Sequence, residues 1–190
     1  MRLIQCGAID NSRKKLYPGK TIASLAFGSK SFYGYLNNND EILFKDVTWV
    51  NNPYNIRQNP SVMAINSAIE VDLTGQVCSD SIGTNIYSGI GGQHDFMYGG
   101  SLSDGGKCFI ALPAKTSGGE SRIVSMLKPG AGVTTSRFQV EFIVTEYGIV
   151  YLRNKSLQQR ARALISIAAP EHREQLEREA TNRFGLGFLR

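Results

Sequence analysis

The segment from Gly89 to Phe96 contains the residues whose types and spacing come closest to a chemical site. Its sequence is Gly-Ile-Gly-Gly-Gln-His-Asp-Phe, with three glycines among four consecutive residues. Because glycine has no Cβ, backbone N–H groups in such a loop can approach a bound group closely, and that group is usually an anion. The loop follows residues rich in β-formers and precedes Phe96-Met97-Tyr98, which can open a helix. A strand, a glycine turn and a helix start are therefore predicted, in the layout of a phosphate or oxyanion site.

This glycine segment does not define a function by itself. It does not match the Gly-x-Gly-x-x-Gly pattern of dinucleotide sites, and it has no Gly-Lys-Ser/Thr ending of a P-loop. An ordinary turn is the alternative interpretation. The secondary structure predicted around the loop is needed to distinguish an anion site from an ordinary turn.

The flanking sequence predicts alternating strands and helices. The alternation of apolar residues with Glu70, Asp72 and Thr74 predicts a half-buried strand within Val62 to Val77, with these three side chains on its polar side and a hairpin turn at Thr74-Gly75. Other strands are predicted at Lys20 to Phe27 (buried on both faces), Ile42 to Phe44, Thr48 to Val50, Cys108 to Leu112, Ile123 to Met126 and Phe142 to Thr145. Helices are predicted from a Ser29 cap to Leu36, from a Ser156 cap to Ala169 with Pro170 as its end, and from Glu171 to Phe184 with Gly185 as its stop. The pattern is that of one α/β domain, an open mixed sheet flanked by helices.

Composition limits the classes of function. The 190 residues are 42% hydrophobic and 19% charged, as in a soluble globular domain. No apolar run approaches the roughly 18 residues of a membrane span, and no signal peptide is evident, so we expect a cytoplasmic protein. Cys6, Cys78 and Cys108 are widely spaced and only two histidines are present, so neither disulfides nor a metal cofactor is expected. The net charge of +5 comes from dispersed basic residues, which suits anionic small molecules at least as well as nucleic acid.

Four segments occur in a characteristic order: Asn51-Asn52-Pro53, Ile65 to Val77, Gly89 to Phe96 and Val144 to Gly148. In this order they resemble the C-terminal domain of the acetyl-CoA hydrolase/transferase family, and the similarity continues to the helical end of the chain. The resemblance implies an open α/β fold of the coenzyme A transferase type, two such domains per complete subunit and an active site between them. It also implies that coenzyme A moves between an acyl-CoA and a small carboxylic acid, such as 4-hydroxybutyrate, through a glutamyl-CoA thioester.

The resemblance also assigns catalytic roles to individual residues. Gly92 matches a glycine whose amide stabilises the tetrahedral oxyanion, and Asn51 matches an asparagine that hydrogen-bonds the catalytic carboxylate. Glu146 matches a glutamate near the nucleophile, and it closes a strand that looks buried, where a carboxylate needs a partner. For Asn51, a role as a turn cap before Pro53 is the alternative. Asp95 is expected to cap the helix that follows rather than to act as a base.

A second group of residues is expected to bind substrate or coenzyme A: Gly89, Gly91, Gln93, Lys115 and Asn66. Lys115 matches a family lysine near the cofactor, where a cation suits the anionic coenzyme A. A solvated surface lysine is the alternative for this position.

The nucleophile of the family is a glutamate that precedes the point matching Leu3 to Gly7. We therefore expect residues 1–190 to be the C-terminal half of a two-domain transferase that lacks the first domain and the nucleophile, and to be inactive alone. Glu70 is not expected to replace the nucleophile, because the alternation places it on the exposed side of its strand. An acyl-CoA hydrolase and a non-catalytic CoA-binding remnant are the alternatives. The expected partners are the acyl-CoA, the carboxylate and the other domain, with a homodimer left open and neither nucleic acid nor membrane involved.

Overall fold

The computed structural model describes residues 1–189, which form seven helices and eleven short strands in an α/β arrangement, so the predicted class is confirmed. The helices are α1 (Arg2–Gln5), α2 (Lys30–Leu36), α3 (Val47–Val50), α4 (Pro53–Ile56), α5 (Gln93–Leu102), α6 (Leu157–Ser166) and α7 (Pro170–Phe184). The strands are β1 (Thr21–Ala23), β2 (Ile42–Phe44), β3 (Met63–Asn66), β4 (Glu70–Asp72), β5 (Val77–Cys78), β6 (Ser81–Ile82), β7 (Asn85–Ile86), β8 (Lys107–Ala111), β9 (Ile123–Val124), β10 (Phe142–Thr145) and β11 (Gly148–Tyr151). In these residues no helix is both long and apolar enough to cross a membrane.

The central sheet has four strands in the order β11-β10-β8-β3. Strands β3, β8 and β10 are parallel, and β11 returns antiparallel to β10. One face of this sheet packs against α5 and α6, and its side chains are buried: Ala64, Cys108, Ile110 and Ile143. Helix α5 lies close to the sheet because Gly100 has no side chain there; a Cβ at that position would lie 3.0 Å from Cys108 Sγ and 3.1 Å from Ala64 Cβ.

The remaining strands form three smaller sheets rather than extending the central one. Strand β4 pairs with β5 antiparallel and with β9 parallel, β1 pairs with β2, and β6 pairs with β7. The hairpin predicted at Thr74-Gly75 joins β4 to β5: Gly75 has φ of +90° and its N–H donates to Asp72 O at 2.8 Å. A positive φ is the conformation that glycine adopts at little cost.

The predicted exposure of one side of β4 is wrong. Glu70, Asp72 and Thr74 are all buried. The carboxylates of Glu70 and Asp72 can be buried because they accept hydrogen bonds from backbone N–H groups. Glu70 Oε1 accepts from the N–H of Lys128 at 2.8 Å, and Asp72 Oδ1 accepts from the N–H of Thr74 at 2.8 Å and of Gln76 at 3.1 Å. A hydrogen-bonded carboxylate tolerates burial that an unpaired one does not.

Helix caps account for the helices that were predicted correctly and for one that was missed. Ser29 caps α2, Ser156 forms a capping box on α6, and Gly185 follows α7 with φ of +98°. The strand predicted at Thr48 to Val50 is wrong, since Asp46 accepts from the N–H of Thr48 and starts α3 there.

Two other predicted boundaries also differ from the structure. Pro170 begins α7 instead of ending α6, as suits a residue without an N–H. The strand expected at Lys20 to Phe27 is reduced to β1, which is half-buried rather than buried on both faces.

Candidate active site

The carboxyl ends of β3, β8 and β10 meet at one edge of the central sheet, because these three strands are parallel. Helix α5 runs in the opposite direction: Gly100, near its end, contacts Ala64 and Cys108 near the strand starts. The beginning of α5 therefore lies at the carboxyl edge, together with the ends of the three strands. In open α/β sheets this is the edge at which ligands bind.

The glycine loop, residues 89–92, lies at this edge and is not occluded by the core: residues 89–91 are exposed and Gly92 is half-buried. Gly91 has φ of +67°, and neither Gly89 nor Gly91 has any neighbour within 4 Å of the position of a Cβ. Within residues 1–189, no backbone N–H from Gly91 to Asp95 donates a hydrogen bond. These donors stand at the positive end of the α5 dipole, so the loop can bind an anion or a developing oxyanion.

Asn51 and Gly92 are in direct contact although 41 residues separate them in sequence. Asn51 lies at the end of α3, and a Cβ at position 92 would lie 3.0 Å from its Cγ and would overlap its amide nitrogen. The alternative role of Asn51 as a turn cap is not observed, since Asn52 caps α4 by accepting from the N–H of Tyr54 at 2.9 Å. The amide of Asn51 is thus placed beside the glycine loop.

Gln93 is held by the protein itself, and Asp95 does not have the capping role expected for it. Gln93 is buried, and its Nε2 donates to Thr135 Oγ1 at 3.1 Å. Thr135 also forms a backbone hydrogen bond with Val77 in β5. Gln93 therefore anchors the start of α5 to the sheet formed by β5, β4 and β9. Asp95 does not cap α5; Gly92 occupies the cap position, and Asp95 adds a negative charge in the first turn, where the helix dipole favours it.

Glu146 follows β10 and is exposed, so the expectation of a buried carboxylate was wrong. Its Oε2 accepts from the N–H of Ala114 at 2.8 Å, which ties the end of β10 to the segment that follows β8. Asn66 ends β3 and is half-buried. In the register of the sheet it pairs with Ile110, so its side chain is on the face that α5 covers. Asn66 and Glu146 therefore share the edge with the glycine loop.

Lys115 is separated from this group by an ion pair. Its Nζ lies 2.5 Å from Glu171 Oε1 at the start of α7, and both side chains are a little under half exposed. The hydrogen bond with Glu171 raises the pKa of Lys115 and lowers the pKa of Glu171. Lys115 therefore remains a cation near the edge, held by α7 rather than directed at the glycine loop.

Two features of the site were not anticipated from the sequence. Thr135 anchors Gln93, and the Ala114 amide holds Glu146. Both partners are ordinary residues in irregular segments more than 30 positions away, so no local sequence signal indicates them. In residues 1–189 no group of three or more His, Cys, Asp or Glu side chains is placed to hold a metal ion.

Comparison with known proteins identifies the family. Residues 28–180 match the Acetyl-CoA hydrolase/transferase C-terminal domain, and the chain belongs to this family. It is 54% identical over 185 residues to the succinyl-CoA:acetate/propanoyl-CoA:succinate CoA transferase of Fasciola hepatica, a match that covers 96% of this chain and 39% of that protein. It is 48% identical over 185 residues to the 4-hydroxybutyrate coenzyme A transferase of Clostridium kluyveri, covering 97% of this chain and 43% of that protein.

Solved structures agree with the observed fold. The 4-hydroxybutyrate CoA-transferase of Porphyromonas gingivalis matches with a TM-score of 0.81 at 42% identity, over 97% of this chain and 43% of that one. RipA from Yersinia pestis matches with a TM-score of 0.86 at 35% identity, over 96% of this chain and 40% of that one. The chain therefore spans about two fifths of the length of the relatives that it matches.

Proposed function

We propose that this chain supplies the oxyanion-binding part of the active site of a CoA transferase, which moves coenzyme A between an acyl-CoA and a small carboxylic acid. The observation that carries the proposal is the exposed glycine loop at the positive end of α5, with the Asn51 amide against Gly92. Free N–H donors beside an amide side chain suit an oxygen that gains negative charge during reaction. The names of the similar proteins support the reaction class.

In the proposed reaction, a glutamate carboxylate attacks the thioester carbonyl of the acyl-CoA and releases the coenzyme A thiolate. The product is a mixed anhydride of the glutamate and the acyl group. The thiolate then attacks the glutamyl carbonyl, which releases the first carboxylate and leaves a glutamyl-CoA thioester. The incoming carboxylate reverses these steps and departs as a new acyl-CoA.

Each of these exchanges passes through a tetrahedral oxyanion, and we propose that the N–H of Gly92 donates to it. A preorganised donor of this kind contributes about 3 kcal/mol of transition-state stabilisation. We assign Asn51 to hold the nucleophilic carboxylate and Glu146 to act beside it. Gly89, Gly91, Asn66 and Lys115 remain proposed contacts for substrate or coenzyme A, whereas Gln93 acts by anchoring the loop.

We further propose that the nucleophile comes from polypeptide outside residues 1–190, from a first domain of the kind that would account for the greater length of the relatives. Residues 1–190 alone should then exchange no coenzyme A. Glu70 is a poor substitute, because it is 3% exposed and its carboxylate already accepts a backbone N–H.

The test uses a chimera: the Fasciola hepatica transferase with its 185 matched residues replaced by those of this chain. Transfer of labelled acetate into acetyl-CoA is measured for the chimera and for residues 1–190 alone. The proposal expects exchange by the chimera and none by the shorter chain. A correctly folded chimera without exchange would overturn the assignment, and exchange by residues 1–190 alone would overturn the external nucleophile.

The same assay separates the transferase from the acyl-CoA hydrolase that the family description also covers. A transferase releases little free coenzyme A without a carboxylate acceptor, whereas a hydrolase releases it at the same rate with or without one. If the chimera binds coenzyme A but catalyses neither reaction, this chain is a binding remnant.

A further inference from the structure

Glu146 stands at the tip of the hairpin that joins β10 to β11. Thr145 pairs with Gly148 in the register of the two strands, so the connection consists of Glu146 and Tyr147 alone. Two-residue hairpin turns usually have positive φ at one or both connecting residues. Neither Glu146 nor Tyr147 has a positive φ, so the direction of the Glu146 side chain depends on other contacts.

The hydroxyl of Thr145 makes two contacts that bear on this direction. Its Oγ1 accepts from the N–H of Tyr147 at 3.1 Å and donates to Ile167 O at 2.6 Å. The first bond joins the residues before and after Glu146, as in turns where a Ser or Thr hydroxyl binds the backbone two residues on. The second bond ties the same oxygen to the residue that caps the end of α6. One hydroxyl thus serves as acceptor for the hairpin and as donor to the helix.

Packing keeps this hydroxyl in a fixed place. Thr145 is 8% exposed and Ile167 is 3% exposed, so water competes little for the bond between them. The opposite residue of the hairpin also lies against the helix end: a Cβ at Gly148 would be 3.3 Å from Ile167 Cγ2. The end of α6 therefore supports the hairpin on both sides of its tip.

The carboxylate of Glu146 is held at a second point. Its Oε2 accepts from the N–H of Ala114 at 2.8 Å, and Ala114 is fully buried. The side chain is thus fixed at both ends, because Thr145 sets the backbone from which it starts and Ala114 holds the carboxylate. If the backbone were released, the carboxylate would no longer be aimed at the Ala114 N–H.

We propose that Thr145 is the positioning residue for Glu146, and that it acts through the hairpin backbone with the end of α6 as its support. The role of Glu146 beside the nucleophile belongs to the proposed function, and the catalytic consequence of this inference rests on it. The positioning itself does not, because it concerns contacts within residues 1–189.

Hydrogen exchange in residues 1–190 tests the positioning without any need for activity. Exchange of the Ala114 amide is followed by NMR in three variants. Thr145→Val has the same shape without the hydroxyl, Thr145→Ser keeps the hydroxyl, and Glu146→Ala removes the acceptor. Thr145→Val should speed exchange by about 10- to 100-fold, to the rate seen in Glu146→Ala. Thr145→Ser should keep the rate of the unsubstituted chain.

Thr74→Val is the matched control for the loss of a buried threonine hydroxyl. Thr74 is 2% exposed, and its hydroxyl donates to Asp72 Oδ1 at 2.6 Å. Its carbonyl accepts from Arg160 near the start of α6, so it lies toward the other end of that helix from Ile167. Thr74→Val should lower stability but leave the exchange of Ala114 unchanged relative to other buried amides.

The chimera tests the catalytic consequence. Thr145→Val should lower kcat by about 10- to 100-fold, since a small misplacement of a group at the reacting centre has an effect of this size, while KM for acetyl-CoA should not change. Thr145→Ser should retain kcat. If Thr145 acts through Glu146, then Thr145→Val combined with Glu146→Gln should be no slower than Glu146→Gln alone.

Exchange of Ala114 at the unsubstituted rate in Thr145→Val would overturn the proposal. Additive losses of kcat in the double mutant would also overturn it, because Thr145 would then act on the fold and not through Glu146. If Thr145→Val does not fold, the unsubstituted chain decides: the amides of Tyr147 and Ala114 should exchange with the same dependence on urea, since one opening frees both. Continued protection of Ala114 after Tyr147 has exchanged would contradict the proposal. An inactive chimera would count against the proposed function alone, and the exchange of Ala114 would still decide the positioning.

Discussion

Gly92→Ala in the chimera should lower the rate of catalysis strongly while leaving the stability of the fold almost unchanged. Gly92 has φ of −96° and ψ of 8°, a backbone conformation that alanine can adopt, so no backbone strain is expected. The added Cβ must displace the Asn51 amide, whose side chain makes no hydrogen bond with residues 1–189. Replacement of glycine by alanine at a compatible position also reduces the entropy of the unfolded chain, by about 0.4–1 kcal/mol. The free energy of unfolding should therefore change by less than about 1 kcal/mol.

The effect on catalysis should be much larger. If the Asn51 amide donates to the nucleophilic carboxylate in the transition state, its displacement removes a hydrogen bond to a charged group, which contributes about 1.5–3 kcal/mol. That loss corresponds to a fall of about 10- to 100-fold in kcat. The assays are acetate exchange for kcat and urea unfolding for stability. Gly34→Ala is the matched control, because Gly34 lies in α2 with no neighbour within 4 Å of its Cβ position.

A double-mutant cycle tells how Gly92→Ala acts. If the Cβ works by displacing Asn51, then Gly92→Ala combined with Asn51→Ala should be no slower than Asn51→Ala alone. Independent effects would make the two losses additive. Retention of kcat within about threefold in a stably folded Gly92→Ala chimera would refute the reasoning, because such a change is below the smallest loss expected for a hydrogen bond to a charged group.

Three further predictions concern charged and titratable groups. Glu146→Gln in the chimera should move the acidic limb of the kcat/KM profile to lower pH by about one pH unit, since removing a nearby negative charge lowers the pKa of the nucleophilic carboxyl; an unmoved profile would place Glu146 away from the nucleophile. Lys115→Met should raise KM for acetyl-CoA about tenfold, whereas Glu171→Gln, which frees Lys115, should not raise it; equal KM values in both variants would leave Lys115 a surface residue. The pKa of Cys108 rises from 9.0 to about 12 on folding, so the unfolded chain loses this proton first and the free energy of unfolding should fall by about 4 kcal/mol between those pH values. Measured by urea unfolding across that pH interval, the free energy of unfolding should fall less steeply with pH in Cys108→Ala than in the unsubstituted chain. Identical slopes in the two proteins would contradict the raised pKa of Cys108.

Local signals in the sequence predicted the positions of the helices better than they predicted which strand residues are buried. Ser29, Ser156 and Gly185 act through contacts within a few residues, so their positions alone indicate where helices begin and end. Asp46 was an equally local signal two residues before Thr48, but the β-branched residues that follow it favoured a strand. Here the cap outweighed the weaker β propensity.

Burial of Glu70 and Asp72 was not predictable from alternation, because the pattern assumes that polar side chains reach water. Their partners are the backbone N–H groups of Lys128, Thr74 and Gln76. The turn formed by Asp72 and Thr74 is local, and an Asp two residues before a Thr is a usable signal for it. The contact between Glu70 and Lys128 spans 58 residues and depends on the tertiary fold.

The candidate site divides in the same way between local and tertiary signals. The glycine loop and its helix are local, and the sequence predicted them. The contact of Asn51 with Gly92 joins two separate helices, and the Glu146 carboxylate meets the Ala114 N–H across two strands. Composition and periodicity could not predict that these residues lie close together. The family resemblance indicated that they belong to one site, and the contacts between them are seen only in the structure.

Four carboxylates on or beside the strands differ in burial, and their contacts bear on the proposal of an external nucleophile. Glu70, Asp72 and Glu141 are buried and accept hydrogen bonds from backbone N–H groups; Glu141 also pairs with Arg153. Such bonds stabilise the carboxylate charge and reduce its nucleophilicity, while burial denies a thioester access to the oxygen atoms. Glu146 is exposed at the carboxyl edge, yet the Ala114 amide already holds one of its oxygens. The edge of the sheet thus presents donors for an oxyanion, and under the proposed function the attacking carboxylate comes from outside residues 1–190.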